Sequence, residues 1–145
     1  MNQSLKVQRH YPGMPLPSRA HPSDAGLDLT AMAVEALRPG LYQVDTGVSV
    51  QPPLGCYCEV VPRSSIVKSD FLLANSLGVI DAGYRGRILV VLRYLGPGDG
   101  AEQARALVGQ RVAQLLVRHQ VAVDVEAADS LDGSARGAGG FGSTG

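Results

Sequence analysis

Glycine and proline interrupt this chain at every scale: 18 glycines and nine prolines are spread over 145 residues. They punctuate the sequence throughout, and an interior proline costs a helix about 3 kcal/mol and an interior glycine up to about 1. Between the breaks lie short Val- and Leu-rich runs: LKVQ, GLDLTA, VDTGVSV, CYCEVVP, GRILVVLRYL, QRVAQLLV and VAVDVEA. Many have the length of strands, and several alternate apolar with polar residues, as Val44, Thr46, Val48 and Val50 do. Short strands joined by frequent turns predict an all-β sandwich or barrel. The best helix candidate is AEQARALV (101–108), which meets Gly109 after two turns and reads equally well as a short helix or an irregular strand. No internal repeat is visible.

A chain of this length has room for one domain and buries enough surface, about 68–70%, to stand without a disulfide or metal. Lys+Arg and Asp+Glu both total 13, so the net charge is zero. That balance argues against non-specific nucleic-acid binding, which draws on a basic excess. Eleven of the 13 cations are Arg, the residue better suited to bidentate phosphate contacts. The apolar runs fall short of the roughly 18 residues of a membrane span. The opening MNQSLKVQRHY lacks the apolar core and small-residue cleavage site of a secretory signal. Cys56 and Cys58 sit two apart, closer than zinc ligands usually stand, and are expected to be reduced, partly buried thiols of a cytoplasmic protein. Composition shifts at Asp132-Gly133, and the SARGAGGFGSTG that follows is too Gly-rich to form a packed element.

Some motifs fail on inspection. GAGGFG (137–142) fits a dinucleotide fingerprint in letters only, since the chain ends three residues later with no helix and no acidic residue beyond. Neither Lys6 nor Lys68 stands behind a Gly-rich phosphate loop, and His10, His21 and His119 are too dispersed for a triad or metal cluster. Five other stretches carry more: AGLDLTA (25–31), PRSSIVK (62–68), NSLGVIDAGYRGRILVVL (75–92), GQRVAQLL (109–116) and the RGAGGFGSTG tail. Singly they read as a turn carboxylate, a helix N-cap, a hairpin bend, a polar strand face and a frayed terminus.

Taken in order, these five stretches resemble the five motifs of the trimeric dUTPases, and with LKVQRHYPGMPLPSRAHPSDAGLDL before them the resemblance spans essentially the whole chain. It implies a jelly-roll-like β-barrel over residues 1–133 and a carboxy-terminal arm, 134–145, that reaches over an active site of a homotrimer. Active sites in this family lie between subunits. The implied reaction takes dUTP and water to dUMP and pyrophosphate with Mg²⁺, removing dUTP and supplying dUMP for thymidylate synthesis. The implied partners are the small-molecule substrate and other copies of the chain, with no nucleic acid and no membrane.

The resemblance also assigns residues. Asp81 matches the carboxylate that orients and deprotonates the attacking water, a contribution of about 10²–10⁴ in rate. Asp28 matches the residue that holds magnesium through its water shell. Arg63, Ser64 and Ser65 match the motif that contacts the α- and β-phosphates, although many relatives carry Gly where this chain has Ser65. Gln114 matches an amide near the phosphates. Arg111 reads as a phosphate ligand or a trimer-interface ion pair, the second being favoured. Asn75 addresses the uracil edge, with backbone groups of Val79, Ile80 and Leu89, and Tyr84 packs against the deoxyribose to exclude a 2′-hydroxyl. Arg87 stands where relatives often have Glu, Gln or Asn, which unsettles a subunit contact more than the catalysis. In the tail, Arg136 pairs with the γ-phosphate, Phe141 stacks over uracil, and Ser143 and Thr144 bind phosphate oxygens.

Two other readings compete. The dCTP deaminases share this fold and often carry Arg-Ser-Ser in the second motif, but they place a proton-shuttling Glu where this chain has Val91, and they tend to have Arg at the position of Lys68. A non-enzymatic trimer that binds a regulatory protein would be expected to carry an inserted segment, and none is obvious here.

Overall fold

The computed structural model describes residues 3–143 and Gly145. Ten antiparallel strands and one helix form among them. They are β1 (Lys6–Arg9), β2 (Leu27–Thr30), β3 (Ala33–Arg38), β4 (Leu41–Asp45), β5 (Val48–Gln51), β6 (Cys56–Val61), β7 (Phe71–Leu73), β8 (Gly78–Ile80), β9 (Leu89–Tyr94) and β10 (Arg111–His119), with α1 at Ala101–Arg105. Strand β1 pairs with β5, and the other eight form two four-stranded sheets ordered β2-β10-β6-β8 and β3-β4-β9-β7. Most neighbours within the sheets are distant in sequence, the topology of an antiparallel barrel closed by long connections. The all-β expectation holds.

The alternation in the sequence becomes the inside and outside of the sheets. Strand β6 alternates buried and half-buried residues along its length, and Val90, Leu92 and Tyr94 of β9 point inward. Leu29, Cys58 and Leu115 from one sheet share a single core with Val44, Ile88, Val90 and Leu92 from the other side. Phe71 seals one end between Tyr42 and Tyr94, with ring centroids 6.4 and 5.2 Å away. The Tyr42 hydroxyl donates 2.6 Å to the Asp99 carbonyl, tying the core to the loop before α1.

Several boundaries differ from the sequence reading, each for a local reason. The run VDTGVSV is split by Gly47, whose φ of +71° makes the turn between β4 and β5. Strands β3 and β7 escaped prediction because AVEALR has helical composition and FLL is too short to show a period. AEQARALV resolves as the short helix α1. VAVDVEA (121–127) has strand periodicity but takes no regular structure, and Val121, Val123 and Val125 are all exposed. Finally, β8 and β9 are not each other's partners: β8 pairs with β6, and β9 pairs with β4 and β7. The bend at 81–88 therefore crosses between sheets instead of closing a two-stranded ladder. No helix among the described residues is long and apolar enough to cross a membrane.

Candidate active site

Asp28 stands on β2 with both carboxylate oxygens engaged. Arg63 Nε donates 2.7 Å to Oδ1, and an Arg111 terminal nitrogen donates 3.1 Å to Oδ2. Arg63 caps the 3₁₀ turn Ser64–Lys68 that follows β6, and its guanidinium also reaches Ser65 Oγ at 3.1 Å. Pairing of β10 with β2 sets Gln114 opposite Asp28, and the Gln114 amide donates 2.8 Å to the Pro62 carbonyl. Gly26 makes that placement possible, since a Cβ there would collide with the Gln114 carboxamide.

A register shift between Arg111 and Ala113 decides which face Arg111 occupies. Residues three apart on a regular strand point to opposite faces. The one-residue bulge at Val112 brings Arg111 round to the Asp28 side that Gln114 also serves, the re-aiming that bulges commonly provide near functional sites. Arg111, read from sequence as a phosphate or interface contact, is thus paired inside its own chain. Its side chain is 55% exposed, so this bond contributes about 0.2–1 kcal/mol and yields readily to a competing anion.

Asp28, Arg63, Ser64 and Gln114 line a cleft of 310 Å³ together with Ala20, Asp24, Ala25 and Gly26. An adjoining cleft of 460 Å³ shares Arg63 and adds Ser65, Lys68, Gln110 and Arg111. Three cations and several hydroxyls and amides around neighbouring clefts suit an oligophosphate. The donor set also fits Mg²⁺, which keeps much of its water shell and takes one or two carboxylates plus phosphate oxygens. Asp28 and Asp24 could supply those carboxylates, since each Asp28 oxygen keeps a lone pair free for a metal-bound water. Among the described residues no cluster of three or more His, Cys, Asp or Glu could cage a metal alone.

Asp81 lies elsewhere. It follows β8 and lines a separate cleft of 520 Å³ with Tyr57, Val79, Ala82, Gly83 and Gln120. Strand β8 is one edge of the sheet β2-β10-β6-β8 and β2 is the other. Three inter-strand spacings separate them, roughly 14 Å. Within one chain, Asp28 and Asp81 do not face a common point.

The remaining predicted residues cluster with Asp81 or stand free. Asn75 sits on the turn before β8, with its carbonyl accepting the Leu77 N–H at 2.6 Å, and Ser76 beside it takes a φ of +61°. Val79 is exposed, Ile80 is half-buried opposite Cys58, and Leu89 is exposed at the start of β9. The Tyr84 hydroxyl donates 2.9 Å to the Arg87 carbonyl, and its ring occupies the space that a Cβ on Gly86 would fill. In the tail, Arg136 Nε donates 2.8 Å to the nearby Gly139 carbonyl, Phe141 is fully exposed at φ +51°, and Ser143 is exposed. Thr144 lies outside the described residues.

Tyr57 and Gln120 were not legible as cleft residues, because only the β6–β10 and β6–β8 pairings carry them beside Asp81. The Tyr57 hydroxyl donates 2.7 Å to Glu59, which also accepts from Arg118 at 3.0 Å. Those two bonds hold the Glu59 carboxyl below its ordinary range.

The dUTPase family model matches residues 13–145. A deoxyuridine 5′-triphosphate nucleotidohydrolase of Mycobacterium avium is 43% identical over all of this chain and 97% of its own length. The enzyme of that name from Nocardia farcinica is 42% identical over 97% of this chain and 85% of its own length. Among solved structures, the dUTPase of Staphylococcus bacteriophage 80alpha with bound dUPNHPP superposes with a TM-score of 0.82 at 25% identity, covering 99% of both chains.

Proposed function

The chain belongs to the dUTPase family and is a dUTP diphosphatase, and from that premise we propose how its residues divide the hydrolysis of dUTP to dUMP and pyrophosphate between copies of the chain. The observation that carries this reading is the placement of Asp28 and Asp81 on opposite edges of one sheet. One α-phosphorus cannot be served by both within a chain. A threefold assembly resolves this by setting the Asp81 cleft of one copy against the Asp28 cleft of another. The exposed alternating valines at 121–127 supply apolar surface for such packing, since large exposed apolar patches mark interaction sites.

In the assembled site the nucleoside enters beside β8. Asn75 and the backbone of Val79, Ile80 and Leu89 read the uracil edge, where thymine's methyl would clash and cytosine inverts the donor–acceptor pattern. Tyr84 covers the sugar face and leaves no room for a 2′-hydroxyl. Arg63, Ser64, Ser65 and Gln114 hold the α- and β-phosphates, with donors placed where charge develops on the leaving group. Asp28 would hold Mg²⁺ through water, with Asp24 beside it. The chemistry supplied by magnesium, when bound, is neutralisation of phosphate charge. Asp81 orients a water for in-line attack at the α-phosphorus and takes its proton. The α–β bridging bond then breaks and pyrophosphate departs. The arm, residues 134–145, closes the site with Arg136 on the γ-phosphate, Phe141 over the base, and Ser143 and Thr144 on phosphate oxygens.

Two experiments test this. Product analysis with dUTP, dCTP, dTTP and UTP in magnesium buffer should give dUMP and pyrophosphate from dUTP alone. Release of ammonia from dCTP would return the deaminase reading despite Val91. Mixing Asp28→Asn and Asp81→Asn chains through unfolding and refolding should then restore activity to about one site in four, as random pairing of copies in a closed ring requires. No restoration would place both carboxylates in one chain's site.

A further inference from the structure

The segment 81–88 carries Asp81 and Tyr84, and the bonds within it are local. The Tyr84 N–H donates 3.0 Å to the Asp81 carbonyl, and an Arg85 terminal nitrogen donates 2.7 and 2.9 Å to the Ala82 and Tyr84 carbonyls. Residues 81–87 are mostly exposed, and β8 before them is only three residues long. The base of the segment is stitched to the turn between β4 and β5. The Thr46 N–H and hydroxyl both donate to the Ile88 carbonyl, at 3.2 and 2.7 Å, and the Ile88 N–H donates 2.8 Å to the Val48 carbonyl. Thr46 and Ile88 are buried.

One step outward, Arg87 extends the same anchor. An Arg87 terminal nitrogen donates 2.6 Å to Asp45 Oδ2, and its guanidinium carbon stands 5.5 Å above the Tyr11 ring. The Tyr11 hydroxyl donates 3.2 Å to that same oxygen, and the Gly47 N–H donates 2.7 Å to Oδ1. The Arg87 side chain thus has two partners on two other parts of the chain, while its carbonyl accepts the Tyr84 hydroxyl.

We propose that the Asp45–Arg87 pair, braced by Tyr11, is a positioning device that fixes the Tyr84 ring and thereby the exclusion of ribonucleotides. The inference rests on the reading of Tyr84 as the sugar-facing residue. Arg87 and Asp45 touch no substrate in it. They act through the backbone carbonyl that holds the phenol, so their loss is felt in selectivity before it is felt in folding.

The test uses the full-length chain and two readouts. The first is the ratio of kcat/KM for dUTP to that for UTP. The second is the rate of tryptic cleavage at the Arg85–Gly86 bond in the native protein, followed by mass spectrometry. Arg87→Ala and Asp45→Asn should both cleave faster at Arg85 and lower the dUTP/UTP ratio by roughly three- to tenfold, in keeping with loss of one charge-assisted contact. Arg87→Lys should recover most of both, and Arg87→Ala should add nothing to the ratio of Tyr84→Ala. Wild-type cleavage in Arg87→Ala would overturn the anchor. A loosened loop with an unchanged ratio, while Tyr84→Ala relaxes it, would overturn the link to sugar selection. An unchanged ratio in Tyr84→Ala would retire the role of Tyr84 and the selectivity inference with it, and the cleavage rates would still report whether the anchor exists. If Arg87→Ala does not fold, Asp45→Asn decides the same question, because it removes the charge while keeping the side-chain shape.

Discussion

Asp81 and Gly26 show how differently single residues declare themselves. Asp81 is exposed, lines its own cleft and makes no side-chain bond among those described, so its replacement disturbs nothing structural. Asp81→Asn should keep the fold and dUTP binding while turnover falls by about 10²-fold or more, and steady-state kinetics beside equilibrium binding would show it. Gly26 has no chemistry of its own, but its missing Cβ leaves the Gln114 carboxamide room against the backbone. Gly26→Ala should push that amide off the Pro62 carbonyl and lower turnover by roughly 10- to 100-fold, the scale of a displaced phosphate donor. The melting temperature should change little, because the far end of a flexible side chain is what must move.

At the scale of the element, β6 illustrates what alternation does to chemistry. Cys56 and Cys58 share the inward face, both are buried, and burial, with Cys56 nearby, pushes the Cys58 thiol up to about 11. The sequence reading of reduced thiols fits, and their burial is more complete than it expected. At pH 8 the folded protein should leave both thiols unreacted with a disulfide reagent, and denaturant should release two per chain. Fast titration of a thiol in the native state would contradict that burial. Strand β10 makes the complementary point: its letters alternate well enough to predict a strand, but the bulge at Val112 is silent in them.

At the scale of the whole molecule the tail stands apart. Among the described residues, those from 130 onward hydrogen-bond only with one another and are almost wholly exposed. Truncation after Asp132 should therefore leave the melting temperature and the assembly nearly unchanged. Turnover should drop by roughly 10²–10³, the loss expected when a transition-state charge contact is removed. Ordering this segment costs roughly 1–2 kcal/mol per residue, so it should close only when a triphosphate offsets that cost. Protease protection at Arg136 by a non-hydrolysable dUTP analogue, and not by dUMP, would report the closure. Full activity in the truncated chain would leave the tail a frayed terminus.

The sequence by itself determined the class of fold. Gly and Pro spacing forbids long helices, and inward alternation survives wherever a strand is long enough to show a period. It also carried the five motif stretches, because turn chemistry and charged side chains are local properties of the chain. Pairing between distant strands is not local, and only the tertiary structure decided it. It put β8 against β6 instead of β9, left VAVDVEA without a strand partner among the described residues, and turned Arg111 onto the Asp28 face through one extra residue. It also set Asp28 and Asp81 on opposite edges of one sheet, which no spacing in the sequence could reveal. Which side chains meet across a sheet depends on strand order and register, and these are settled by packing of the whole core.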